Sequence, residues 1–137
     1  MAISLDFETL HRYDAGKAGI SVPIVLSSGS ARIDLSAKLD TGSAYCVFER
    51  EVGEGLELDI ESGAEEWIGT VTGSFKAYGH SLTLLAFGFQ FDITAYFAEM
   101  PGFGRNVLGR YGWMQQLKLG IVDYEGKLYV GRYDEVG

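Results

Sequence analysis

The sequence predicts an all-β fold, a small closed barrel with one short helix near its C-terminal end. Three observations carry that expectation. The chain holds 8 Tyr, 8 Phe, 2 Trp and 19 Gly, a mixture that suits short strands and tight turns better than helices. Apolar and polar residues alternate through several stretches, the two-residue period of a half-buried strand. Turn-forming residues separate these stretches at short intervals, the spacing of a sandwich or barrel.

Taken in order, Ile3-Ser4-Leu5-Asp6-Phe7-Glu8 alternates as a strand does, and the polar run from His11 to Lys17 separates it from the next strand. Ile20 to Leu26 and Ala31 to Leu39 read as a hairpin over Ser27-Ser28-Gly29-Ser30, which delivers its second strand into Asp40. Ala44 to Phe48 is an apolar strand, Glu49 to Gly55 a weak helical turn interrupted by glycine, and Leu56 to Ile60 is ambiguous between strand and loop. Trp67 to Tyr78 follows, rich in glycine and small β-formers over residues 69–73. Ser81 to Phe87 and Phe89 to Phe97 are apolar strands on either side of Gly88, and Met100 to Gly104 is a loop. Val107-Leu108 forms a short strand ending at Gly109, the expected helix covers Tyr111 to Leu117, and Leu119 to Asp123 with Lys127 to Arg132 closes the chain as a hairpin. No internal repeat or linker interrupts this order, and at 137 residues the whole length, 1–137, is expected to be one domain.

Hydrophobic residues are 47% and charged residues 22% of the chain, the balance of a folded globular protein. The formal charge of −8, with no cluster among the Lys and Arg residues, argues against nucleic acid or an anionic membrane as partner, because phosphate binding needs grouped cations. A lone Cys46 rules out an intramolecular disulfide and favours a reducing compartment. The N-terminal residues lack a basic segment followed by an apolar one, and no apolar run approaches membrane-spanning length. The expectation is a soluble cytoplasmic protein, or a soluble domain of a longer one.

The most informative residues are Asp40-Thr41-Gly42-Ser43, which place an ionisable group at a tight turn between two apolar strands. A carboxylate there is costly unless it has a task or a partner. By average residue usage the tripeptide Asp-Thr-Gly occurs by chance in about a few per cent of chains this long, so it needs company. Company comes from Val107-Leu108-Gly109-Arg110 and from the hairpin tip Ile68-Gly69-Thr70-Val71-Thr72-Gly73. In this order, over roughly residues 20 to 131, the three elements resemble the retropepsin-like aspartic proteases.

The resemblance implies a small closed barrel of the retropepsin-like type, a flap hairpin with its tip at residues 68–73, and a short helix starting after Val107-Leu108-Gly109-Arg110. It implies Asp40 as the catalytic carboxylate. One carboxylate cannot both deprotonate water and protonate a leaving group at one pH, whereas two that share a proton supply a base and an acid side by side. Pepsin-like relatives fuse two such lobes in one chain, and retroviral-type relatives take one Asp from each of two identical subunits. The single Asp-Thr-Gly of this chain therefore implies a homodimer with the site on the two-fold axis. By the same resemblance, Gly42 would let the two loops approach, Thr41 would bond across the axis, Ser43 would bond the outer oxygen of the Asp40 carboxylate, and Arg110 would pack against an acid near the loop. Thr70 and Thr72 depart from the usual flap, and Tyr111-Gly112 from the usual helix start. The substrate implied is an extended peptide or protein segment, with no metal and no organic cofactor.

Blander explanations exist for the same residues. Asp and Gly are common in turns for conformational reasons alone, but the three elements in register favour a working carboxylate. Gly102 to Gly109 lacks the Lys of a phosphate loop. His11, His80 and Cys46 are too scattered for a zinc site, adjacent Glu65 and Glu66 point to opposite faces, Trp67 and Trp113 read as core or rim aromatics, and Cys46 as a small buried apolar residue. The alternative function is a non-catalytic peptide-binding or interaction domain on the same barrel, and a third is a monomeric barrel with a fortuitous motif.

Overall fold

The computed structural model describes residues 1–133. Its strands are β1 (Thr9–Arg12), β2 (Ile20–Ser28), β3 (Ala31–Leu39), β4 (Cys46–Phe48), β5 (Ala64–Thr70), β6 (Gly73–Ala86), β7 (Phe89–Ala98), β8 (Val107–Leu108), β9 (Leu117–Val122) and β10 (Lys127–Arg132), with one α-helix, α1 (Arg50–Gly55). A seven-stranded sheet runs in the order β2-β3-β8-β4-β7-β6-β5. Pairing of Val25 to Ser27 on β2 with Thr83 to Leu85 on β6 closes six of its strands into a barrel. β5 stays outside that closure, paired only with the first half of β6. The expected fold class, a mostly β closed barrel with one short helix, is what the chain adopts.

Alternation explains the barrel wall. Along β2, Val22, Ile24 and Leu26 are buried while Ser21 and Pro23 face out. Pro23 lacks an N–H, and β2 meets its second neighbour only from Val25 onward, so no ladder bond is lost on that side. The interior is filled by Trp113, Phe48, Phe97, Leu26, Leu84 and Leu108, all essentially inaccessible. Burying a large apolar side chain contributes about 2 to 3 kcal/mol, so this group is a substantial part of the drive for closure.

Elsewhere the structure departs from sequence expectation. The first strand is Thr9–Arg12 and not residues 3–8: β1 pairs with β10 in the register Thr9 to Val130, the Glu8 N–H still donates to the Val130 carbonyl at 2.9 Å, and beyond it the Arg132 N–H takes the Glu8 side chain, Oε1 at 3.1 Å, in place of a backbone partner. Ile3 and Leu5 are exposed, and only Phe7 finds a neighbour, the Tyr129 ring at 5.8 Å. The helix expected over residues 111–117 is a single 3-10 turn, Met114–Gln116. Gly112 has φ +84°, a left-handed conformation that no α-helix interior accommodates. The α-helix lies instead at Arg50–Gly55, where only a weak turn was expected. There Val52 and Leu56 are buried, and Arg50 makes two bonds to the Glu61 carboxylate, at 2.6 and 2.8 Å, and a third to the Glu99 carbonyl at 3.0 Å. That pairing holds the Glu61 carboxyl below its ordinary range. The ambiguous segment 56–60 is not a strand and leads into a 3-10 turn, Ile60–Ser62. Among the described residues no helix is long and apolar enough to cross a membrane.

Candidate active site

Asp40 follows the last residue of β3, and two crossings fix its place. β8 runs parallel to β3, with Leu39 opposite Leu108, and antiparallel to β4, with Val47 opposite Val107. The strand after the loop and the strand before it are thus pinned to the same two-residue segment. The Asp40 N–H donates to the Leu108 carbonyl at 3.0 Å. Beyond β8, the N–H groups of Arg110 and Tyr111 donate to the carbonyls of Ser43 and Ala44 at 2.9 and 2.7 Å. The whole turn is therefore laid against 108–111 by backbone bonds that do not depend on side-chain identity.

Gly109 explains the apolar-apolar-Gly pattern. A Cβ on it would collide with the Tyr45 carbonyl and sit 2.8 Å from the Ser43 oxygen, so only a residue without a side chain permits this crossing.

Within the turn, the Gly42 N–H donates to Asp40 Oδ1 at 2.9 Å and the Ser43 N–H to the Asp40 carbonyl at 3.1 Å. Asp40 is half-buried, while Thr41 and Gly42 are exposed at the rim. Ser43 does not bond the Asp40 carboxylate as the resemblance implied. Its Oγ donates to the Tyr45 carbonyl at 2.7 Å, locking the exit of the turn. Arg110 likewise meets no carboxylate at ion-pair distance among the described residues, and its guanidinium lies 5.9 Å from the Tyr111 ring centre.

Cys46 Sγ accepts the Gly109 N–H at 3.4 Å beneath the turn. Burial pushes its thiol up to about 11, only partly offset by that bond, which agrees with a packing role and not a nucleophilic one. At pH 8 the thiolate is then about a thousandth of the population. Native protein should resist iodoacetamide and react only after denaturation; rapid alkylation of the folded chain would contradict this burial. Because folding raises this pKa, the associated stability is complete below the ordinary thiol value and is lost as pH rises through about 11.

The residues 68–73 do form a hairpin tip. β5 and β6 pair with Ile68 opposite Phe75 and Thr70 opposite Gly73, leaving Val71 and Thr72 as the connection. Val71 is fully exposed, and Thr70 Oγ1 donates to the Gly73 carbonyl at 2.9 Å, so one of the departing threonines braces the tip. Phe103, from the loop before β8, packs under the hairpin 4.6 Å from the Phe75 ring.

Asp40, Thr41, Gly42, Ser43 and Val107 to Arg110 are thus drawn into one unit by the folding of the chain. No hydrogen bond joins the hairpin tip to that unit among the described residues. The tip lines its own cleft of about 420 Å³, and Asp40 lines a second of about 480 Å³. Arg105 borders both. Neither Arg105 nor Lys38, which also borders the Asp40 cleft, was singled out from sequence, although for Lys38 a signal existed: it is a charged residue near the end of β3, two residues before Asp40.

No protein-family model and no curated protein matches the sequence. Among solved structures, a retropepsin-like aspartic protease from Rickettsia conorii is similar to this chain with a TM-score of 0.67, covering 89% of this chain and 96% of that one at 16% identity. At that identity the likeness is one of fold, and the chain has a retropepsin-like β-barrel.

Proposed function

We propose that this protein is an aspartic endopeptidase that cleaves extended peptide segments with a water activated between two Asp40 carboxylates, one from each subunit of a homodimer. The observation that carries this reading is the placement of Asp40. Its carboxylate sits half-exposed on a backbone-braced turn at the edge of a cleft, on a barrel similar to that of a known aspartic protease. Paired across a two-fold axis, two such carboxylates cannot both ionise. The charged one takes a proton from water while the protonated one polarises the scissile carbonyl. Exposed Thr41 and Gly42 suit a loop that meets its own copy, and the hairpin tip at 68–73 suits a flap that closes over the peptide backbone.

The test is whether activity belongs to the dimer. Specific activity should fall on dilution below the dimer dissociation constant, and Asp40→Asn subunits should poison wild-type ones. In an equal mixture with random exchange, about a quarter of dimers retain two carboxylates. Proteolysis that stays proportional to protein concentration where sedimentation shows only monomer would reject the shared site. A dimer that binds peptides and never cleaves them would favour the non-catalytic interaction domain.

A further inference from the structure

The cleft beside Asp40 has a charge character opposite to that of the whole chain. Acidic residues outnumber Lys and Arg by 19 to 11 in the sequence. Around this cleft the charged residues are Lys38 and Arg105 against Asp40 alone, with Gly19, Ser21 and Asn106 among the neutral ones. Neither cation is at ion-pair distance from a carboxylate of the described residues.

Both cations are exposed, Lys38 on β3 of the barrel and Arg105 on the loop that leads into β8. The Lys38 N–H donates to the Asn106 carbonyl at 2.8 Å, and Lys38 stands opposite Val107 in the β3–β8 pairing, so Lys38 and Arg105 come from adjoining segments at one rim. The Lys38 stem runs past Gly19, where even a Cβ would come within 3.0 Å of its Cδ. Asn106 is itself tied down, accepting the Glu49 N–H at 3.0 Å through its side chain. Arg105 in addition borders the cleft under the hairpin tip. An extended peptide passing from beneath the tip to Asp40 therefore passes Arg105 on its way.

We propose that this cleft is a specificity pocket for an acidic side chain, Asp or Glu, of the bound peptide, held by Lys38 and Arg105 close to the peptide group that Asp40 acts on. The cleavage part of this inference rests on the endopeptidase reading above; the binding part does not. A peptide carboxylate there accepts charge-assisted hydrogen bonds from two cations and is opposed by one carboxylate, which is half-neutralised when it shares a proton. Repulsion from the acidic surface at large is screened beyond about 8 Å at physiological salt, whereas charges in direct contact inside the cleft are screened much less. Selectivity is therefore decided locally.

The experiment uses extended peptides of neutral sequence in which one Glu, or its isostere Gln, is moved along successive positions. Binding is read by fluorescence anisotropy on full-length Asp40→Asn protein, and cleavage on the wild type. In one register Glu should exceed Gln by at least about tenfold in both readouts, and the ratio should shrink with added salt. In Lys38→Gln/Arg105→Gln the ratio should fall to near one, and in Lys38→Glu/Arg105→Glu a Lys peptide should be preferred; unchanged thermal melting certifies that these variants are folded. A Glu to Gln ratio near one in every register, or a ratio that survives the double substitution, overturns the pocket. Cleavage without Glu preference removes the pocket and leaves the endopeptidase, Glu-selective binding without cleavage does the reverse, and neither binding nor cleavage removes both.

Discussion

Asp40→Asn should reduce kcat/KM for peptide cleavage by at least about a thousandfold, some 4 kcal/mol of barrier, while leaving the melting temperature unchanged. The two halves of this expectation have separate causes. Chemistry is lost because an amide side chain neither takes a proton from water nor shares one with its counterpart. The fold survives because Asn retains an oxygen where Asp40 Oδ1 accepts the Gly42 N–H, and the other bonds that position the turn are made by backbone atoms of Asp40, Ser43, Ala44, Leu108, Arg110 and Tyr111. Steady-state kinetics beside a thermal melt measures both. Retention of a tenth of wild-type turnover, about 1.4 kcal/mol, would remove Asp40 from the mechanism.

Gly109→Ala should act the other way, on the fold first and on activity through it. The added methyl group would meet the carbonyls of Tyr45 and Ser43, which are backbone atoms of the turn that carries Asp40 and cannot rotate aside as a side chain can. Relief requires β8 to separate from the turn, breaking the Arg110 to Ser43 and Tyr111 to Ala44 bonds. We expect a loss of about 3 kcal/mol or more, seen as a fall in melting temperature of about 10 °C or more for a domain of this size. A melting temperature within about 2 °C of wild type would mean that the crossing is looser than the geometry states. Comparison with Ala substitution at exposed Gly69, where a Cβ meets nothing, separates this clash from any general cost of replacing glycine.

Much of the site was legible because its signals are local. Asp40-Thr41-Gly42 follows an alternating strand, and Val107-Leu108-Gly109 is an apolar pair followed by a residue that must lack a side chain; both stand out as short patterns, although the contacts that explain them, Gly109 against Ser43 and Tyr45, join segments far apart in sequence. The β2–β3 hairpin over Gly29 and the β6–β7 hairpin beside Gly88 are also as expected, since turn chemistry and two-residue periodicity fix such pairs without reference to the rest of the chain. The hairpin tip at 68–73, implied by the family resemblance, is a hairpin in the structure as well.

What local pattern could not determine was decided by partners far away in sequence. Residues 3–8 alternate as well as any strand in the chain, yet β1 begins at Thr9, since past Val130 the Arg132 N–H of β10 bonds the Glu8 side chain and not the backbone of residues 3–8. Residues 111–117 lost their helix because Gly112 takes a left-handed conformation that reverses the chain beside the Asp40 turn. Residues 50–55, expected as a weak helical turn, form the α-helix, with Val52 and Leu56 buried in the core and Arg50 bonded to Glu61 and Glu99. Ser43 and Arg110 carry the family's residue types but were given other neighbours, Tyr45 and Tyr111. The pairing of Lys38 with the segment that holds Arg105 is of the same kind. Periodicity states which face of a strand is apolar, but which strand lies beside it, and so which charges share a cleft, is settled only when burial of the common core selects one closure of the barrel over the others.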